Sequence, residues 1–525
     1  MRICSDLFNA FLKCPTKCWL RAAGEPDSAN AYAEWVKSQN RSYHLTELER
    51  LFSETPKVEV AVSPPTENLK AARWRLAANL AVHPRMNTCV LESELHAVER
   101  APSDGRGRPP QFIPIRFIFT NKLGEDDKLL LAFDTFVFSE VTGLDISFGK
   151  IIHGDDHSAL KVKTASLFDE VRKCIERVAA LLASPTPPDL VLNRHCGECE
   201  FQTRCRQKAI EADDLSLLSR MSEKERKKLH SKGIFTVRHL SYTFRPRRRP
   251  KRMRDKREKY HPSLKALAIR EKKIHIVGRP ELKIEGTPIY LDVEGLPDRD
   301  FYYLIGVRIG SGDSAVHHSL WADTAAEEAK IWREFLGILE TVEKPVVIHY
   351  GSYEAAFLKR MAERHGKPPE SSVAAKTIQA AVNLLSVIFA QVYFPTFSNG
   401  LKEIAGHLGF RWSDSGVTGR ATIRRWHEWA ASRGCFQKSS LLTYNAEDCK
   451  ALDMVVNKLV ELTQAVPNAG SSPPEGVVDT TTPKREHPYG FKRNTFAFPE
   501  LDVISSALDE RLPPVMAPNK TIECP

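Results

Sequence analysis

Three short stretches carry residue types at spacings that could do chemistry. In "IYLDVEGL", Asp292 and Glu294 stand two apart behind an apolar run. Strand side chains two apart face the same way, so both carboxylates would project from one side of a sheet. Held together they repel each other, and a divalent cation relieves that repulsion. Two solvated acids on an exposed strand edge would be the plainer reading, but the preceding "IYL" reads as buried strand. In "LLTYNAEDCKALDMVV", Tyr444 and Asp448 are four apart and share one helix face. In "RHCGECEFQTRC", Cys196, Cys199 and Cys205 supply three thiolates, one short of a tetrahedral metal site. "KCPTKCWL" is the best source of the fourth, Cys14 first and Cys18 next. Zinc and an iron–sulfur cluster both accept such ligands.

The elements that must position these groups fall into four stretches. Residues 1–212 alternate helical segments with strands such as "FIPIRFIF" and "KLLLAFDTFVF", and end in the cysteine group. Residues 213–262 are helical and then basic. Residues 263–464 alternate strands ("TPIYLDVEG", "YYLIGVRIG", "KPVVIHYG") with long helices, an α/β texture. In residues 465–525 the chain becomes "PNAGSSPPEGVVDTTTPKREHP", a Pro/Ser/Thr-rich composition expected of a disordered tail. Within the second stretch, Ser222 with Glu225 forms a capping box, Gly233 suits a helix C-terminus, and Thr236 can cap the next helix. The pair resembles a helix-hairpin-helix that could hold a phosphate; an αα-hairpin packed between domains is the alternative.

The 525 residues imply two or three domains. With 42% hydrophobic and 27% charged residues, and no apolar run long enough to span a bilayer, a soluble chain without a signal peptide is expected. Eleven unevenly spaced cysteines do not form a disulfide pattern, which favours a reducing, cytoplasmic setting. Residues 245–259 hold ten Lys/Arg and two acids, a net +8 of the chain's +10. Such a local excess suits a polyanion partner, although a solvated linker or an import signal has the same composition.

The two cysteine stretches, in this order and about 200 residues apart, resemble the RecB-type nucleases that carry a four-cysteine 4Fe–4S cluster. The resemblance implies a PD-(D/E)XK-like fold with Cys14, Cys196, Cys199 and Cys205 as iron ligands; zinc is the alternative. The nuclease residues of that fold do not follow. Arg116 stands where its acid should be, Ile118 where its lysine should be and Leu130 where its glutamine should be. A guanidinium repels Mg²⁺, so this domain is expected to be a nucleolytically inactive scaffold.

Residues 285–462 resemble the tyrosine-containing DEDD exonucleases of the ribonuclease H superfamily, in particular the YprB-type domain. "SNGLKEIAGHLGFRW" matches that family's Leu-Lys-x-Ile…Leu-Gly segment. The whole chain resembles proteins joining a RecB-like domain to such an exonuclease. By that resemblance Asp292, Glu294, Glu354 and Asp448 would hold two Mg²⁺ or Mn²⁺ ions. Tyr444 would orient the attacking water for cleavage of DNA or RNA from a single-stranded 3′ end. Two departures are Glu354 in "YGSYE", where the family has Asp, and Asn383, where related domains often have Asp. A catalytically inactive nucleic-acid-binding scaffold is the alternative. His349 is expected to be a hydrogen-bonded structural residue, "GSGDSA" at 310–315 a turn, and "RATIRRWHEWAASRG" an amphipathic packing helix. Cys435 and Cys449 are expected to be plain thiols.

Overall fold

The computed structural model describes residues 1–28, 30–66, 73–86, 89–101, 111–245, 259–278, 280, 282–465 and 475–480. Of the basic run 245–259, only Arg245 and Lys259 fall within the described residues.

Alternating apolar residues in the N-terminal part build an eight-stranded sheet. Its long central strand, Cys89–Ala101, pairs with Leu76–Val82 and Gln111–Ile118, and also takes the short Arg2–Cys4 and Arg85–Met86 at one end. The sheet continues from Gln111–Ile118 through Gly149–His153 to Ser158–Val162. "KLLLAFDTFVF", expected as a strand, instead lies in the helix Glu125–Thr142. All ten residues Leu129–Phe138 are buried, so this helix has no polar face and its sequence shows no helical period. Its ends carried the missing signal: Glu125, Asp126 and Asp127 fill the first turn, and Gly143 closes it at φ +62°.

The hairpin segment forms as its caps require. Ser222 and Glu225 bond reciprocally, Gly233 adopts φ +75°, and the Thr236 hydroxyl accepts from the His239 amide. Val237 and Leu240 pack with Ala266 of the helix Pro262–Glu271, so the hairpin is seated on the C-terminal part.

That C-terminal part is a five-stranded mixed sheet in the order Val316–Trp321, Phe301–Ile309, Thr287–Leu296, Pro345–His349, Val382–Asn383. The first two pairings are antiparallel and the last two parallel, which puts Thr287–Leu296 in the middle. The 31-residue helix Cys435–Ala465 crosses this sheet. Close approach needs Gly306: a β-carbon there would lie 1.9 Å from Asn445 Oδ1. Of the tail expected to be disordered, residues 465 and 475–480 are described and the rest lies outside the described residues. Val477–Asp479 pairs in parallel with Ile274–Ile276, because Val477 can be buried beside that strand. No helix among the described residues is long and apolar enough to cross a membrane.

Candidate metal centre

Sheet and helix meet at three carboxylates. Asp292 and Glu294 come from the central strand, and the helix Cys435–Ala465 delivers Asp448 over them. One oxygen from each lies within 4.8 Å of the others. Glu294 and Asp448 are 9% and 7% exposed. The register shift after Glu294 ends the regular ladder there; a β-carbon at Gly295 would sit 2.6 Å from the Phe301 carbonyl.

Each carboxylate is held by a neutral donor. Asn445 Nδ2 donates to Asp292 Oδ2 at 2.6 Å, the Thr422 hydroxyl to Glu294 Oε2 at 2.8 Å, and Trp412 Nε1 to Asp448 Oδ1 at 2.7 Å. Neutral donors orient carboxylates without cancelling their charge. Burial, then the charges of Asp448, Glu294 and Glu354, pushes Asp292 well above the usual carboxylate range. Burial raises Glu294 to about 8 and Asp448 to about 6. Such a site gains much from a divalent cation, which restores the ionised form of all three groups.

Glu354 opens the helix Tyr353–His365 as expected and is 6% exposed. It lies outside the 4.8 Å group, yet its charge raises both Asp292 and Glu294. Its Oε2 has no hydrogen-bond partner among the described residues and stands 3.8 Å from His349 Nδ1, which has none either. His349 is therefore buried beside the acids with a ring nitrogen unused, not hydrogen-bonded there as expected. Asn383 does not join the acids. It accepts from the Gly351 amide at 3.1 Å and donates to the Gly351 carbonyl at 2.7 Å, fastening the loop that leads to Glu354.

Tyr444 is buried beside Asp448, and burial with the neighbouring acids raises its hydroxyl pKa further, keeping it neutral. Lys402 Nζ lies 4.6 Å from the Tyr444 ring centroid and donates to the Val417 carbonyl. Trp426 and Trp429 of the helix Gly419–Ser432 are buried packing residues, as expected of that amphipathic stretch.

The cysteines converge as a second site. Cys14, Cys196, Cys199 and Cys205 line one small recess with Lys17, His195 and the chain Leu190–Asn193. Cys18 is buried and lines no part of it. Burial, then Cys199, Cys14 and Cys196, raises Cys205 to about 11, and burial also raises Cys196 and Cys199. A cation would reverse this by stabilising thiolates. The thiols are spread wider than the carboxylates: no three of them have sulfurs within 4.8 Å of one another.

In the N-terminal sheet, Arg116 forms an ion pair instead of a metal site. Its Nε donates to Asp134 Oδ2 at 2.7 Å, while Ser5 and Ser93 donate to Asp134 Oδ1 at 2.8 and 2.7 Å. The protein's own cation thus neutralises this buried acid. Ile118 is half-buried against Leu131, and Leu130 is buried in the core.

Thr422, Trp412 and Asn445 were not among the residues expected in the site. Asn445 sits beside Tyr444 on the same helix, but nothing in its spacing says that it reaches back to Asp292. Residues 289–460 match the RNase_H_2 family model, of the RNase H superfamily. The matched segment spans all five expected catalytic residues and the three donors. None of the curated proteins compared matches the chain.

Proposed function

We propose that the C-terminal domain is a metal-dependent nuclease that hydrolyses phosphodiester bonds of DNA or RNA from a single-stranded 3′ end. The observation that carries this is the meeting of Asp292, Glu294 and Asp448 within 4.8 Å, half-buried at Asp292 and buried at the other two, each held by a neutral donor, inside a segment of RNase H type. Mg²⁺ or Mn²⁺ bound there would lower the pKa of a water and neutralise charge developing on the phosphate. Asp292, Glu294 and Asp448 would hold the first ion, and Glu354 would contribute to a second. Tyr444 stays neutral, so it can orient a water through its hydroxyl while Asp448 takes the metal.

The N-terminal domain, read as RecB-like, serves as a scaffold without its own cleavage. Its Arg116–Asp134 pair supports this, because an acid already neutralised by a guanidinium has little affinity for Mg²⁺. Cys14, Cys196, Cys199 and Cys205 would hold a 4Fe–4S cluster, with zinc as the alternative, and so tie the start of this domain to its end. The basic run 245–259 would grip the nucleic acid backbone.

The test uses 5′-labelled single-stranded DNA and RNA with Mg²⁺ or Mn²⁺. The expected result is a metal-dependent ladder shortening from the 3′ end, abolished in Asp292→Ala and Asp448→Ala. Cleavage surviving both substitutions would move the chemistry elsewhere in the chain. Binding without cleavage would favour the scaffold reading, which the separation of Glu354 from the other three acids keeps in view. Anaerobically purified protein should absorb near about 400 nm if the thiols hold iron–sulfur, and be colourless if they hold zinc.

A further inference from the structure

The two candidate sites touch through one short piece of chain. The segment between Cys196 and Cys199 is Gly197–Glu198, and both residues meet Arg420. A β-carbon at Gly197 would lie 2.1 Å from Arg420 Nη1, so the guanidinium rests directly on the cysteine loop. Arg420 Nη2 and Nε donate to Glu198 Oε1 at 3.1 and 3.3 Å. Two residues on, in the same first turn of the helix Gly419–Ser432, the fully buried Thr422 donates to Glu294. Just before that turn, the Val417 carbonyl accepts from Lys402, whose ammonium lies over Tyr444. One turn of chain therefore touches the loop between Cys196 and Cys199 through Arg420 and the carboxylate Glu294 through Thr422.

A second contact runs in parallel. Asn30 Nδ2 donates to the Gly197 and Cys199 carbonyls at 3.3 and 3.1 Å, and Asn30 caps the helix Ala31–Glu54. Trp35 of that helix packs against His427 of the helix Gly419–Ser432, with ring centroids 5.0 Å apart and the planes tilted by 38°. The cysteine loop thus meets the helix Gly419–Ser432 directly at Arg420 and indirectly, through Asn30 and the helix it caps, at His427.

We propose that Arg420 is a positioning residue through which the cysteine loop sets Thr422 against Glu294. The conformation of the Cys196–Cys199 loop is then felt as metal affinity at Asp292, Glu294 and Asp448. The proposal rests on reading those acids as a metal site, and on no assignment of what the cysteines hold. Coupling of this kind is a free energy shared between two sites and is measured by how a change at one alters binding at the other.

The experiment titrates Mn²⁺ into the full-length protein and follows free Mn²⁺ by paramagnetic resonance. Wild type is compared with Glu198→Ala, Arg420→Ala, the double variant, Arg420→Lys and Cys199→Ser, with Asp292→Ala as the control. The expected outcome is Mn²⁺ binding weakened about fivefold or more by either Glu198→Ala or Arg420→Ala. The double variant should be no weaker than the worse single one, because both cut the same link. Arg420→Lys should restore part of the affinity, which a general loss of packing would not allow. Cys199→Ser should weaken binding in the wild-type background and not in Arg420→Ala. If Cys199→Ser does not fold, the exposed Glu198 and Arg420 variants decide the matter alone. Wild-type affinity in Arg420→Ala, or additive losses in the double variant, would overturn the proposal while leaving the metal site intact. Wild-type binding indistinguishable from Asp292→Ala would instead remove the metal site, and the coupling with it.

Discussion

At the scale of single residues, the carboxylates are arranged against the stability of the protein that carries them. Burial and mutual repulsion raise Asp292, Glu294 and Asp448, the latter two to about 8 and about 6. Folded pKa values above the unfolded ones mean that the folded chain holds extra protons in this window. Without metal, stability should therefore fall as pH rises from about 4 through about 8. Urea melts in EDTA at several pH values should show a declining midpoint, and Mn²⁺ should remove most of the decline. Asp448→Asn should raise the metal-free stability at pH 8 by about 1–2 kcal/mol while costing at least about a hundredfold in cleavage rate; melts and rates on one preparation would check both. The spacings of two and four told which side chains share a face, Asp292 with Glu294 and Tyr444 with Asp448. That the two pairs belong to one site followed only from the family resemblance, and the convergence of Asp292, Glu294 and Asp448 is what the fold adds. Thr422 and Trp412 were not legible in the sequence, since their bonds to Glu294 and Asp448 cross 128 and 36 residues. No local period records a partner at that separation.

At the scale of elements, the site depends on how closely one helix can approach one sheet. Gly306 lies on the strand Phe301–Ile309, and its missing side chain is the space that Asn445 occupies. Gly306→Ala should push the helix Cys435–Ala465 outward, loosening the Asn445–Asp292 bond and drawing Asp448 from its partners. The expected cost is about 1–3 kcal/mol in stability, with a loss of Mn²⁺ affinity; thermal melts and metal titration would report both. Strands with one apolar face and helices with clear caps were readable, as Ser222, Glu225 and Thr236 illustrate. The helix Glu125–Thr142 was not, because burial on every side erases the polar stripe that marks a helix. Val477–Asp479 was hidden for the opposite reason: three residues set among Gly, Pro and Ser carry too little pattern to outweigh their surroundings.

At the scale of the whole molecule, the two sheets are joined at the loop that leaves the acidic strand. Asp298 accepts from the backbone amides of Asn121 and Lys122, both at 2.9 Å. Arg299 pairs with Asp155 at 2.7 Å, and Lys122 with Asp300 at 3.0 Å. Exposed ion pairs alone contribute little. A carboxylate satisfying two backbone amides contributes more, because removing it leaves both donors without their acceptor. Asp298 is also only four residues beyond Glu294, so the junction bears on the strand that carries Asp292 and Glu294. Asp298→Ala should therefore weaken the union of the two halves more than Arg299→Ala does. Calorimetry should show the wild-type chain unfolding in one transition and Asp298→Ala in two, with Arg299→Ala close to wild type. A single transition in all three would place the union elsewhere, at the contacts of Trp35 with His427 and of Glu198 with Arg420.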